Sequence, residues 1–159
     1  MQKVRGKLKE GDVAPDFELL SQDGKKITLH EFRGSKNVVL YFYPKDFTHG
    51  CSAETKLFGE NYDEIRSLGA EVLGVSRDSV ASHKEFADDC SANFLLLSDE
   101  GGRVGELYGV TLSFGLIPGR TTFVIDRQGI IRHVFSSQLA FKKHVAEALK
   151  AIKALAAAN

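Results

Sequence analysis

The sequence is poor in several residue types: 159 residues include no tryptophan, one methionine, three prolines and two cysteines. Two cysteines are too few for a disulfide framework or a structural zinc site. Cys51 and Cys90 also lie too far apart in the chain to form a CxxC redox pair. In a reducing compartment such as the cytoplasm, a cysteine that has chemistry is generally catalytic. We therefore expect a cytoplasmic protein in which a cysteine acts as a reagent.

Neither sign of charge is in excess, because Lys plus Arg and Asp plus Glu each count 21. Proteins that bind nucleic acids or anionic membrane surfaces usually carry an excess of basic residues, so the sequence predicts neither as a partner. No apolar run approaches the roughly 20 residues of a membrane helix. The first residues, 1–11, contain basic side chains but no apolar stretch of the kind found in a signal peptide.

Hydrophobic residues still make up 43% of the chain, which is enough for a globular core. The clearest strand is 38–43, since it is β-branched and aromatic and apolar on both faces. Other extended segments are expected at 15–20, 27–29, 71–76, 121–126 and 130–135, and helices are expected to begin near 51, 79, 101 and 141. This order predicts an α/β sandwich with a central mixed sheet flanked by helices. Because no linker or repeat interrupts it, we expect a single domain over 1–159.

Cys51 is the first candidate for a functional residue. It follows the strand 38–43 and a loop at 44–50, and it opens a predicted helix. A thiol at a helix N-terminus faces free N–H groups and the positive end of the helix dipole, and both favour the thiolate. The alternative is an inert cysteine of the core, since free cysteine is often buried. Because the loop 44–50 is rich in polar and turn-forming residues, we expect it to lie outside the core and Cys51 to be functional.

Residues 44–51, Pro-Lys-Asp-Phe-Thr-His-Gly-Cys, resemble the peroxiredoxin active-site pattern Pro-x-x-x-Thr-x-x-Cys. The segments 14–17, 41–43 and 118–126 resemble the same family, and Arg120 matches its active-site arginine. The chain length, Gly50 and the absence of a second Cys-Pro motif near the C-terminus resemble the bacterioferritin-comigratory, or Q-type, branch. The resemblance covers nearly the whole chain.

This resemblance implies a thioredoxin-like fold and a peroxidase that reduces hydroperoxides without metal, haem or flavin. Cys51 attacks the peroxide and becomes a sulfenic acid. Thr48 places a hydroxyl beside the sulfur and the peroxide, and Arg120 favours the thiolate and holds the peroxide oxygens. Pro44 shields the thiolate from water. Glu54 matches a position that orients the arginine, although an ordinary acid of the first helical turn is the alternative.

The resemblance also implies thioredoxin or a glutaredoxin–glutathione system as the reductant, and a monomer or a dimer. Lys56 stands where the branch often has a resolving cysteine, and His49 stands where it usually has proline. Some relatives place the resolving cysteine in the helix that contains Cys90. Cys90 shares a face of that helix with Phe86, so a small core residue is the alternative. If Cys90 resolves, its helix must move, because a disulfide requires Cα atoms within roughly 7 Å.

Two other functions fit the same fold. A thiol–disulfide oxidoreductase normally uses the CxxC motif that this sequence lacks. A binding or holdase protein without catalysis needs neither Thr48 nor Arg120. No metal site is expected, because the four histidines other than His49 lack ligand spacing with acids or cysteines; they are His30, His83, His133 and His144.

Overall fold

The computed structural model describes residues 8–110, 112–113, 117–118, 120–137 and 140–158. The strands are β1 (Glu18–Ser21), β2 (Lys26–Thr28), β3 (Asn37–Phe42), β4 (Ala70–Ser76), β5 (Leu95–Ser98), β6 (Leu112–Ser113), β7 (Ile117–Pro118), β8 (Thr121–Ile125) and β9 (Ile131–Ser136). The helices are α1 (His49–Ser67), α2 (Val80–Asp89), α3 (Arg103–Leu107) and α4 (Phe141–Ala157), and a 3-10 turn covers His30–Phe32. Of the predicted motif at 118–126, Gly119 lies outside the described residues.

Seven strands form one mixed sheet in the order β2-β1-β5-β4-β3-β8-β9, and β6 pairs with β7 separately. The pairs β3–β4 and β4–β5 are parallel, whereas β8 runs antiparallel to both β3 and β9. Two antiparallel hairpins, β1–β2 and β8–β9, form the two edges of the sheet. The expected α/β sandwich with a mixed central sheet is thus confirmed.

Side chains of β3 alternate between two cores, as the two-residue period of a strand requires. Val39 and Tyr41 pack with helices α1, α2 and α4 on one face of the sheet. Leu40 and Phe42 pack on the other face with Phe123 of β8. Every residue of β3 is buried, so this strand fixes the centre of the molecule and the position of the loop that follows it. Among the described residues, no helix combines the length and the apolar character needed to cross a bilayer.

Two helix boundaries differ from expectation in the region of the cysteines. Helix α1 begins at His49, two residues before Cys51, because Thr48 is the extended residue that precedes the first turn. Helix α2 ends at Asp89, so Cys90 is the residue that follows the helix rather than a member of it. Ser79 begins α2 as expected, since its hydroxyl accepts a hydrogen bond from the backbone N–H of Ser82.

Candidate active site

The site forms where β3 ends, α1 begins and β8 starts. Phe42, the last residue of β3, lies opposite Thr121, the first residue of β8, in an antiparallel register. Arg120 immediately precedes Thr121, so the register brings it to the loop that leads from β3 into α1. This explains how two residues far apart in the chain, Cys51 and Arg120, meet at one edge of the sheet.

Cys51 is the third residue of α1, and its side chain is fully buried. The expectation that the loop and Cys51 lie outside the core is therefore wrong for the cysteine, and also for Asp46, which is 3% exposed. The physical reason is that α1 packs its first turn against the sheet while Arg120 covers the sulfur. Nη2 of Arg120 donates a hydrogen bond to Sγ of Cys51 at 3.4 Å. A cation bonded to the sulfur distinguishes this thiol from an inert core cysteine.

Glu54 holds the other arm of the guanidinium. Nη1 of Arg120 donates to Oε1 of Glu54 at 2.7 Å, which is the contact expected for a residue that orients the arginine. Burial opposes the charge on Arg120, but attraction by Glu54 and Cys51 outweighs it and raises the pKa of the guanidinium. The arginine is therefore a permanent cation with one arm on a carboxyl group and the other on the thiol.

A second layer, which the sequence analysis did not single out, lies behind Glu54. Burial raises the pKa of Glu54 to about 7, despite the attraction of Arg120. Oε2 of Glu54 has no hydrogen-bond partner in the described part of the chain and lies 3.8 Å from Nδ1 of His144. Burial lowers the pKa of His144 to about 4. Its Nε2 donates to the carbonyl of Ser137 and its Nδ1 accepts from the hydroxyl of Thr122, both at 2.8 Å. The ring is neutral and serves as packing and hydrogen-bonding support.

The loop residues of the predicted motif differ in what they contact. The hydroxyl of Thr48 is exposed and donates to the carbonyl of Lys45 at 2.9 Å, so its oxygen keeps lone pairs with which to accept. Pro44 is half-buried. Gly50 allows the close approach of the arginine, because a Cβ there would lie 3.0 Å from Nη2 of Arg120. Glycine before the cysteine is thus a requirement of the site and not only of the loop.

Cys90 is 4% exposed and lies in the same core as Cys51, and both are free thiols. Burial raises the pKa of the Cys90 thiol, while Lys56 and a hydrogen bond from Ser52 favour its thiolate. Ser52 and Lys56 are neighbours on one face of α1, so Cys90 lies against the first turns of the helix that Cys51 opens. Its burial agrees with the alternative of a core residue, and its position agrees with a resolving cysteine.

One group of described side chains has ligand atoms close enough for a metal ion, namely Asp46, Asp78 and His83. Their atoms are already used inside the protein: Asp78 accepts from the backbone N–H of Asp46 and from the hydroxyl of Ser76. Asp46 and His83 are hydrogen-bonded to one another. Oδ2 of Asp78, Oδ2 of Asp46 and Nδ1 of His83 therefore each already have a partner inside the protein.

A buried cysteine at a helix N-terminus, bridged by arginine to a carboxyl group on a thioredoxin-like sheet, defines a thiol-based redox enzyme. Residues 11–134 match the AhpC/TSA family, and the chain belongs to that family. It is 45% identical to peroxiredoxin Q, chloroplastic, of Triticum aestivum over 96% of this chain and 70% of that protein. The family confirms the expected class, a thiol peroxidase, and the relative confirms the Q-type resemblance.

Two solved structures confirm the thioredoxin-like fold. The peroxidoxin BcpB of Mycobacterium tuberculosis superposes with a TM-score of 0.86 at 35% identity, covering 92% of this chain and 97% of that one. The bacterioferritin comigratory protein of Xanthomonas campestris, described for its alkyl peroxide reduction activity, gives a TM-score of 0.80 at 31% identity over 88% and 92% of the two chains. Because the wheat relative is named as chloroplastic, a cytoplasmic location stays a prediction.

Proposed function

We propose that this protein reduces hydrogen peroxide and organic hydroperoxides with Cys51 as the nucleophile. The observation that carries the proposal is the Arg120 bridge, with one arm on Sγ of Cys51 at 3.4 Å and the other on Glu54 at 2.7 Å. The thiolate attacks one peroxide oxygen, an S–O bond forms and the O–O bond breaks. The departing oxygen takes a proton and leaves as water or alcohol, and Cys51 becomes a sulfenic acid.

Arg120 has two roles in this step. Its charge favours the thiolate, and the burial of the site strengthens that attraction because little water screens it. Its N–H groups also donate to the peroxide oxygens as negative charge spreads over them. Glu54 keeps the guanidinium plane fixed, so the donors need not be reoriented during the reaction.

Thr48 and Pro44 act from the loop. The exposed hydroxyl of Thr48 lies at the N-terminal end of α1, where its lone pairs are available to accept a hydrogen bond from an incoming peroxide. Pro44 limits the access of water to the sulfur. Because Cys51 is fully buried, the loop 44–50 has to open slightly to admit the substrate. Alkyl hydroperoxides are included as substrates because the Xanthomonas campestris relative is described as reducing alkyl peroxides.

Cys90 then resolves the sulfenic acid. Its thiolate attacks Sγ of Cys51, the S–S bond forms as the S–O bond breaks, and water leaves with the proton of the Cys90 thiol. The proximity of Cys90 to Ser52 and Lys56 on the first turns of α1 supports this role. Thioredoxin, or a glutaredoxin–glutathione system, reduces the disulfide and returns both thiols. The alternative is an enzyme with one reactive cysteine and an external thiol.

Mass spectrometry after one equivalent of peroxide tests both proposed steps, the attack by Cys51 and the resolution by Cys90. The wild type should give a Cys51–Cys90 disulfide, Cys90→Ser should stop at the sulfenic acid with a fast first step, and Cys51→Ser should not consume peroxide. Single-turnover activity in Cys51→Ser comparable with the wild type would exclude Cys51 as the nucleophile. Wild-type protein with oxidised Cys51 and a free Cys90 would establish the one-cysteine mechanism instead.

Residues 1–159 are further proposed to act as one domain, since the bridge between Val13 and Ile130 joins the N-terminal segment to the β8–β9 hairpin. Limited proteolysis should then leave no smaller stable core. The two free thiols also suit a reducing compartment, and we expect the cytoplasm. Fractionation of the source cells, with detection by antibody, tests that location against an organelle.

A further inference from the structure

A buried cluster of hydrogen bonds joins the loop before Cys51 to helix α2. Its centre is Asp46, whose side chain is 1% exposed. Oδ1 of Asp46 accepts from the hydroxyl of Tyr43 at 2.6 Å. Oδ2 accepts from the hydroxyl of Ser82 at 2.8 Å and lies 2.8 Å from Nδ1 of His83. None of these side chains takes part in the peroxide reaction proposed above.

His83 fixes the helix side of this cluster. Its side chain is fully buried, and its Nε2 donates to the carbonyl of Leu97 in β5 at 2.9 Å. One ring nitrogen of His83 therefore contacts the Leu97 carbonyl and the other contacts the Asp46 carboxyl group, so both nitrogens have a partner inside the protein. When such a buried pair separates, neither partner finds water in the core to replace the other, so the pair resists opening.

The loop carries backbone strain directly beside the pair. Phe47 has φ of 64°, in the left-handed region that bulky residues rarely adopt. Phe47 is 51% exposed, and its ring stands edge-on to that of Phe86 in α2, with the ring centroids 5.2 Å apart. Asp46, which directly precedes Phe47, is held to helix α2 by its contacts with Ser82 and His83. Without that anchor, the loop is free to relax towards an ordinary backbone conformation.

Helix α2 carries these contacts along one face that ends at Cys90. His83, Phe86 and Cys90 follow one another at spacings of three and four residues, which places them in line. The sulfur of Cys90 is buried against Ser52 and is not bonded to Cys51. Both thiols are free, so an S–S bond of about 2 Å forms only when the two sulfurs are brought together.

We propose that Asp46 and His83 form a latch that joins the loop 44–50 to α2, so that both segments open together to deliver Cys90 to oxidised Cys51. His83 is a positioning residue, since it acts through Asp46 and touches neither sulfur. The added oxygen of the sulfenic acid has to be accommodated in a fully buried site, which favours the joint opening of both segments after oxidation, beyond the slight opening of the loop that admits the peroxide. The inference rests on the proposed role of Cys90.

The test compares Asp46→Asn, His83→Gln and the double variant with Lys84→Gln, a control on the exposed side of α2 where the side chain is 57% exposed. After one equivalent of hydrogen peroxide, rapid alkylation and mass spectrometry follow the conversion of sulfenic acid to disulfide. Each single variant should raise this rate about tenfold, as the loss of one buried hydrogen bond predicts, and the control should match the wild type. Each single substitution already removes the same contact, so disulfide formation in the double variant should be no faster than in the faster single variant.

Hydrogen exchange in the reduced protein gives a second measure that does not depend on Cys90 chemistry. Amides of 45–48 and of 80–90 should lose protection together in both single variants. If a latch variant fails to fold, Ser82→Ala removes only one hydroxyl from Asp46 and should still accelerate disulfide formation about twofold to threefold.

The latch proposal is wrong if both single variants form the disulfide at rates within twofold of the wild type. It is also wrong if the rate increases of the two single variants multiply in the double variant. Loss of protection in only one of the two segments would also overturn it. A wild type that forms no disulfide refutes the proposed role of Cys90 instead, and the exchange measurement then decides whether the latch exists.

Discussion

Glu54 and His144 should give the stability of this protein two opposite dependences on pH. Both side chains are fully buried, and Oε2 of Glu54 lies 3.8 Å from Nδ1 of His144. This distance suggests an ion pair, but the contacts of the ring indicate a neutral histidine. Nδ1 is occupied by the hydroxyl proton of Thr122, and Nε2 donates to the carbonyl of Ser137.

The two pKa shifts have opposite consequences. Burial raises the pKa of Glu54 from 4.5 to about 7, so between these values the folded protein keeps a proton that the unfolded chain has lost. Its contribution to stability is therefore lost as the pH rises through that window. Burial lowers the pKa of His144 from 6.5 to about 4, so its contribution is lost as the pH falls through 6.5 towards 4. Between about pH 5 and pH 8, each group changes the unfolding free energy by about 2 kcal/mol.

Urea unfolding of the wild type, Glu54→Gln and His144→Gln near pH 5 and near pH 8 measures both effects. The wild-type free energy of unfolding minus that of Glu54→Gln should fall by about 2 kcal/mol towards high pH. The same difference for His144→Gln should rise by about 2 kcal/mol. Taking differences cancels the other titrating groups, and Gln at position 54 keeps an acceptor for Arg120.

An ion pair would reverse the result for His144, because its charge would then stabilise the folded protein at low pH. A difference that falls towards high pH in both variants would therefore refute the neutral ring. His133→Gln is the matched control: its Nε2 lies 2.8 Å from Glu147 at the surface, where an ion pair contributes at most about 1 kcal/mol. This substitution should change the free energy of unfolding by at most about 1 kcal/mol at either pH.

Three further substitutions test the packing of the site and the sheet. Gly50→Ala places a Cβ 3.0 Å from Nη2 of Arg120, so stopped-flow kinetics should show peroxide reduction slowed about tenfold, while urea unfolding shows no loss of stability because alanine favours a helix. Arg120→Lys keeps the charge but loses the planar fork, and should slow the peroxide reaction by more than about tenfold; a rate within about twofold of wild type would exclude a catalytic role. Gly74→Ala brings a Cβ to 2.8 Å from Tyr41 and Leu96, and should cost about 1–3 kcal/mol in urea unfolding; an unchanged midpoint would show that the core can adjust.

The parts of the fold that the sequence predicts best are those set by local patterns. The run at 38–43 is apolar on both faces, and β3 is buried along its whole length. The placement of Cys51 at the start of a helix follows from the loop before it. The contact of Arg120 with Cys51 spans 69 residues, so no local pattern contains it. That contact was expected only through the resemblance to a known family.

The groups that the sequence analysis missed are buried polar side chains. His144 lies on the same buried stripe of α4 as Ala148 and Ile152, and a histidine at that spacing indicates a supported core position. Asp46 belongs to a polar loop, and its burial depends on a partner, His83, in a distant helix. Burial of this kind is decided by tertiary packing that brings a second polar group to the first. Periodicity alone does not predict it.

The arrangement agrees with the proposed role of the fully buried Cys51 thiol as the nucleophile. Arg120 is one cation between two groups that can carry negative charge, Glu54 and Cys51, and both are shielded from water. A carboxylate exposed to water would be fully ionised at neutral pH and would offset the cation. Because burial raises the pKa of Glu54 to about 7, this carboxyl group is protonated in part of the molecules at neutral pH. In either state its Oε1 still accepts from the guanidinium. Glu54 therefore orients the arginine while leaving much of its charge to act on the sulfur of Cys51, and the neutral His144 behind it adds no second cation that would hold Glu54 in its ionised form.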